Sequence, residues 1–211
     1  MTRLAYTEGM TDIQTEILSA VHDFVNNEII PVANKLEHAD EYPQAIVDGL
    51  KELGVFGLMI PEEYGGLGES LLTYSLVVEE IARGWMPVSG VINTHFIVAY
   101  MLMHHGTTEQ KEKYLPRMAT GEVRGAFSMS EPNCGSDVSA ITSKAVKNAD
   151  GYSLTGQKMW LTNGASSTLV AVLVRTDDAA SADSSVYKRM STFLIEKTPG
   201  FGEVRPGATI P

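Results

Sequence analysis

The sequence predicts an α+β chain, with an all-helical N-terminal domain over 1–120 followed by a mainly antiparallel β domain over 121–211. Three observations predict it. Two Thr-x-x-Gln boxes, Thr11 to Gln14 and Thr107 to Gln110, have the spacing of helix N-caps. The apolar residues of the first half recur at helical intervals, whereas after Gly121 they fall into short runs separated by turn formers. Asp150-Gly151 is a hairpin-turn signal between two of those runs, which supports antiparallel pairing.

In order along the chain, Ile13, Ile17, Val21 and Val25 make a first amphipathic helix to about Glu28, with Pro31 marking an end or bend. Pro43 opens a second helix whose stripe of Ile46, Val47, Leu50 and Leu53 stops at Gly54. Val55 to Ile60 is an apolar connector, and Pro61 to Gly68 is loop by composition. Ser70 to Arg83 forms a third helix, broken by Trp85, Met86 and Pro87. Ser89 to His105 is apolar on nearly every side, so it reads as a helix buried among its neighbours. A charged helix from Thr107 toward Met118 completes the first domain. The β runs are Val123 to Met129, Ile141 to Val146, Tyr152 to Leu154, Leu169 to Val174 and Thr192 to Ile195. Asp177 to Ser185 reads as an exposed loop, and Pro199 to Pro211 holds no finishing element.

With 16 Lys+Arg against 26 Asp+Glu and no basic run, a nucleic-acid surface is not expected. Cys134 is the only cysteine, which excludes an intrachain disulfide framework and a cysteine metal cluster, and fits a reducing compartment. The N-terminus lacks an apolar signal core and an Arg/Ser-rich leader composition, so a cytoplasmic location is expected. Asn93, Thr94 and His95 interrupt the longest apolar window, so no membrane span is expected. The histidines show no metal-ligand spacing, and Gly65-Gly66-Leu67-Gly68 lacks the strand and spacing of a dinucleotide fingerprint.

The chemistry concentrates between Phe127 and Thr162. Phe127-Ser128-Met129-Ser130-Glu131-Pro132-Asn133-Cys134-Gly135-Ser136-Asp137 sets hydroxyls and small residues after a strand, a pattern that brings backbone N–H groups and Ser hydroxyls against a polar or anionic ligand. Gly156-Gln157-Lys158-Met159-Trp160-Leu161-Thr162-Asn163-Gly164 places an indole two residues before a hydroxyl. On a strand those two would share a face and could meet one planar heterocycle. Taken singly, Trp160 reads as a core tryptophan and Thr162 as an ordinary strand threonine.

Both segments closely resemble the flavin-binding middle domain of the acyl-CoA dehydrogenase family, and the helical region resembles its N-terminal domain. The resemblance implies a β-barrel-like middle domain, truncated in this chain, and FAD as cofactor. It implies that Met129 uses its backbone, and Ser130 its hydroxyl, toward the polar edge of the isoalloxazine, with the aromatic Phe127 near flavin and substrate. Gly135 allows close approach, and Ser136 lies near the pyrophosphate with its backbone also near the substrate's pantetheine arm. Trp160 packs on the ring and Thr162 offers its hydroxyl toward N5. Ser128 and Cys134 depart from the commonest pattern; Cys134 reads as a small buried filler or as a redox-active thiol.

The implied reaction is oxidation of an acyl-CoA thioester to the trans-2-enoyl-CoA. A glutamate removes the α proton while the β hydrogen moves as hydride to the flavin. That base belongs to a C-terminal helical domain in the family and is expected beyond residue 211, because none of Glu62, Glu63, Glu79, Glu80 or Glu131 matches its position. The chain alone is therefore expected to be inactive and to hold FAD weakly or not at all. An electron-transferring flavoprotein is the implied electron acceptor, and a homodimer or homotetramer the implied assembly. The rivals are an acyl-CoA oxidase or another flavin oxidase or monooxygenase of the same fold, and a naturally short, non-catalytic interaction protein.

Overall fold

The computed structural model describes residues 9–176 and 189–197. The expected loop over Asp177 to Ser185 and the stretch from Pro199 to Pro211 lie outside the described residues. The chain divides into two units, Met1–Val123 and Arg124–Pro211.

Local chemistry starts the helices of the first unit. Thr11 and Thr107 each accept the N–H of the glutamine three residues on, and each glutamine side chain accepts the threonine's N–H in return. These boxes open α1 (Asp12–Phe24) and, after the elements between, α5 (Thr108–Ala119). Pro31 does not end the first helical stretch. Val25–Ile29 widens into a π-helical turn whose Ile30 N–H reaches back to Val25, and α2 (Ile30–His38) follows with Pro31 in its first turn, where no N–H is needed. Next comes α3 (Gln44–Glu52), followed by Gly54 at a left-handed φ of 73°.

The core of this unit is α4 (Leu71–His105), which is kinked at Trp85, where φ is −161° and ψ is 107°. Its length and apolarity match those of a membrane span, but Val77, Ile81, Val88, Ile92, Phe96 and Leu102 are buried inside the unit. His95 is fully buried between Phe56 and Phe96, with Nε2 3.2 Å from the Phe56 carbonyl. Glu80 is 5% exposed and is met by Arg83 at 2.6 Å and by His22 Nδ1 at 2.7 Å, joining α1 to α4.

The second unit corrects the expected sheet. β2 (Lys144–Asn148) and β3 (Gly151–Thr155) form the antiparallel hairpin that Asp150-Gly151 signals, but the centre of the sheet is mixed. β4 (Leu169–Arg175) pairs along its length with antiparallel β5 (Met190–Glu196). It also pairs in parallel with β1 (Gly125–Ser128) over Leu169 to Val172, and with β2 at Arg175. β4 is buried on both faces, through Leu169 and Ala171 on one and Val170 and Val174 on the other, which fits its continuously apolar rather than alternating sequence. No ladder joins β3 to β5 among the described residues, so the sheet is open and not a barrel, even though the Tyr152 and Phe193 rings lie 5.0 Å apart.

One glycine tests the packing of the first unit. The loop after Pro61 folds back through Leu67 N–H to Gly57, Gly68 N–H to Ile60 and Glu69 N–H to Leu58. A Cβ on Gly66 would lie 2.0 Å from the Ile60 carbonyl oxygen and 2.7 Å from that of Gly57. Gly66→Ala is expected to cost at least about 3 kcal/mol in urea unfolding, because two backbone groups must move apart. Thr107→Ala, which removes only one cap, is expected to cost about 1 kcal/mol. Equal costs for the two would show that the loop relaxes around the methyl.

Candidate functional site

Glu131 organises the site. Pro132 follows it in a tight turn closed by Glu131 N–H to the Cys134 carbonyl at 2.9 Å and Cys134 N–H to the Glu131 carbonyl at 3.1 Å. The turn brings the Glu131 carboxylate inward, where the residue is only 6% exposed. One oxygen accepts the Thr142 N–H at 2.7 Å and the Thr142 hydroxyl at 2.8 Å; the other accepts the Ser143 N–H at 2.9 Å and the Lys158 ammonium at 2.9 Å. Burial by itself pushes this carboxyl up, but the Ser143, Thr142 and Lys158 donors together hold it well below the usual carboxylate range.

Lys158 also donates to the Met129 carbonyl at 2.9 Å, and the Met159 N–H donates to the Ser130 carbonyl at 2.9 Å. The two sequence segments are thus laced together, with Ser130 hydrogen-bonded to the residue before Trp160. Asn163, at φ 64°, anchors the far end of the second segment by donating from Nδ2 to the Gly125 carbonyl on β1 at 3.2 Å.

Trp160 and Thr162 do not alternate along a strand. Trp160 has φ 57°, and the Thr162 N–H returns to the Trp160 carbonyl at 3.0 Å, so the pair sits in a turn. Left-handed φ at a bulky residue is strained and persists only where the surroundings enforce it. Trp160 is 83% exposed, which removes the core-tryptophan alternative. Phe127 is half-buried on β1 opposite Ala171. Among the described residues, the Ser130 N–H and the hydroxyls of Ser130, Ser136 and Thr162 have no hydrogen-bond partner. Gly135 and Ser136 are exposed past the turn, and no hydrogen bond ties them to 158–162 among the described residues. The space around the Gly135 Cα is open, so close approach by a ligand meets no obstacle there. Cys134 is buried at 8% exposure as part of the Glu131 turn, in the place of a filler.

A cavity of about 230 Å³ lies over the face of the sheet shared by Ser128, Val172 and Ile195. It is smaller than the roughly 300–1,000 Å³ of drug-sized sites. None of Phe127, Ser130, Trp160 or Thr162 lines it, whereas Ser143 and Lys158 of the Glu131 cluster do. Sequence reasoning weighed Glu131 only as a base and Lys158 only as a neighbour of Trp160, and it did not single out Thr142 or Ser143. An acidic residue before a Pro turn was the visible signal, but nothing in the spacing pointed to a lysine 27 positions away.

The model of the acyl-CoA dehydrogenase N-terminal domain matches residues 11–122, and that of the acyl-CoA dehydrogenase middle domain matches residues 126–209. The chain belongs to the acyl-CoA dehydrogenase family. It is 39% identical over 191 residues to the mitochondrial isovaleryl-CoA dehydrogenase of Solanum tuberosum, covering 88% of this chain and 45% of the relative. Butyryl-CoA dehydrogenase from Megasphaera elsdenii superposes with a TM-score of 0.82 at 33% identity, covering 92% of this chain and 51% of the other. An acyl-CoA dehydrogenase from Bacillus anthracis, solved in complex with FAD, superposes with a TM-score of 0.78 at 31% identity, covering 91% of this chain and 32% of the other. The chain spans between 30% and 50% of the length of the curated relatives it matches.

The Glu131 cluster makes stability pH-dependent in a defined window. Below about pH 4.3, the ordinary glutamate value, the unfolded chain takes up a proton that folded Glu131 refuses. Its contribution is therefore fully present above that pH and is lost as pH falls toward the depressed folded value, at up to about 1.4 kcal/mol per pH unit. Glu131→Gln is expected to be less stable at pH 7 and to show a flatter decline between about pH 5 and pH 2 in denaturant titrations. A decline as steep as the parent's would place the acid sensitivity elsewhere.

Proposed function

We propose that this chain forms the flavin-holding wall of an FAD-dependent acyl-CoA dehydrogenase that oxidises an acyl-CoA thioester to the trans-2-enoyl-CoA. What carries the reading is the Lys158 junction, which fixes the hydroxyl segment against the indole segment. The residues fit a flavin. An indole that is 83% exposed offers its face to a planar ring, and Ser130 beside it offers an unengaged N–H and hydroxyl to a polar ring edge.

Bound FAD would supply the two-electron acceptor, and the residues of this chain hold and orient it. Because the Met129 carbonyl is occupied by Lys158, the free end of the Met129–Ser130 peptide is the Ser130 N–H, and that group is the backbone donor toward the ring edge. Thr162 adds a hydroxyl two residues from the indole, Phe127 an aromatic edge at β1, and Gly135 and Ser136 an open approach suited to the pyrophosphate and the pantetheine arm. Glu131 is not the base. Its oxygens are already saturated by four donors and its proton affinity is far below the range a general base needs. The reading extends to an electron-transferring flavoprotein as acceptor and a homodimer or homotetramer as the assembly of the intact protein.

The purified intact protein is expected to show the visible absorption bands of bound FAD. Trp160→Ala should weaken FAD binding about tenfold, the scale of one lost aromatic stack. Because the indole is exposed, the melting temperature of the cofactor-free protein should stay unchanged. No flavin uptake by the unsubstituted protein at saturating FAD would remove the proposal.

A further inference from the structure

The interaction between Lys158 and Met129 joins a buried cation to one end of a single peptide unit. The Lys158 side chain is 11% exposed and that of Glu131 is 4% exposed, and Lys158 Nζ lies 2.9 Å from both the Glu131 carboxylate and the Met129 carbonyl oxygen. The opposite end of the Met129 carbonyl's peptide is the Ser130 N–H, which has no partner among the described residues. A cation bonded to a carbonyl oxygen draws electron density toward it and strengthens the N–H at the other end as a donor. The effect is larger here than in water, since the pair is buried and screening is weak. The remaining partners of Glu131, Thr142 and Ser143, are neutral donors, so Lys158 and Glu131 are the charged pair bonded to one another at this peptide.

Resting on the flavin reading above, we propose that Lys158 is a positioning residue that polarises the Met129–Ser130 peptide toward the polar edge of the bound flavin, with Glu131 limiting how strongly it does so. Reduction adds electrons to the ring and makes its polar edge more negative. A strengthened Ser130 N–H stabilises that state more than the oxidised one, and the Lys158 charge acts in the same sense. The Glu131 carboxylate, which neutralises the ammonium, acts in the opposite sense. Two residues that form one ion pair therefore have opposite effects on the cofactor, although loss of either breaks the same structural link between 129–131 and 158–159.

The test is the midpoint potential of the flavin in the intact FAD-loaded protein, measured by dye equilibration, with the melting temperature of the cofactor-free protein recorded alongside. Lys158→Met is expected to lower the potential and weaken FAD binding about tenfold, as expected for one charge-assisted bond. Glu131→Gln is expected to raise the potential, and Lys158→Arg to restore it close to the parent value. A pair that acts only as a structural clamp lowers stability in both charge-removing variants and moves the potential in neither, or in the same direction in both; either result overturns the proposal. If Lys158→Met does not retain flavin, Glu131→Gln decides alone, and a potential at or below the parent's overturns it. Failure of both charge-removing variants to fold assigns the pair a structural role and overturns it as well. Absence of flavin from the unsubstituted protein sinks the cofactor reading itself, whereas an unchanged potential with flavin bound sinks only this inference.

Discussion

A carboxylate on a side chain that is 4% exposed has to be neutralised where it sits, and the candidate site follows from how Glu131 meets that demand. Removing an ionised group from water costs several kcal/mol, so a buried one persists only when its lone pairs are filled and an opposite charge is at hand. Thr142 and Ser143 fill the lone pairs from the approach to β2, and Lys158 brings the charge from the segment after β3. Three stretches that share no ladder at these positions are drawn to one point. The same ammonium reaches the Met129 carbonyl, so meeting the charge requirement also sets the path of the backbone at Met129 and Ser130.

The two units achieve order differently. In the first, caps start the helices and one kinked helix gathers the apolar side chains, so much of its structure depends on residues three or four positions apart. In the second, the strands are short and β4 holds β1, β2 and β5 together by long-range pairing. Exposed elements such as the Trp160 turn carry little of that packing. An indole in solvent at left-handed φ adds little to the packing of the unit and is held by its surroundings.

Much of the helical half was legible in the sequence. The Thr11 and Thr107 boxes, the stop at Gly54 and the break near Trp85 each depend on atoms within a turn of the chain, and each appears where its residues stand. Pro31 was legible only in part: it disturbs the helix as expected, but the π-helical turn ahead of it lets the chain continue. In the β half, the Asp150-Gly151 hairpin was readable for the same local reason. The mixed sheet was not read, although β4 carried the clue: six consecutive apolar residues, Leu169 to Val174, describe a strand covered on both sides rather than one with a wet face.

By itself, the sequence determined which residues cap, turn and break, and the family whose motifs they form. Only the tertiary structure decided that β1 and β4 run parallel, that the sheet stays open, that Trp160 stands in a turn rather than on a strand, and that Glu131 and Lys158 meet. The physical reason is range. A cap or a tight turn is closed by groups a few residues apart, whose geometry the local backbone sets. A buried ion pair spanning 27 positions is chosen among many possible partners by the folding of everything between them.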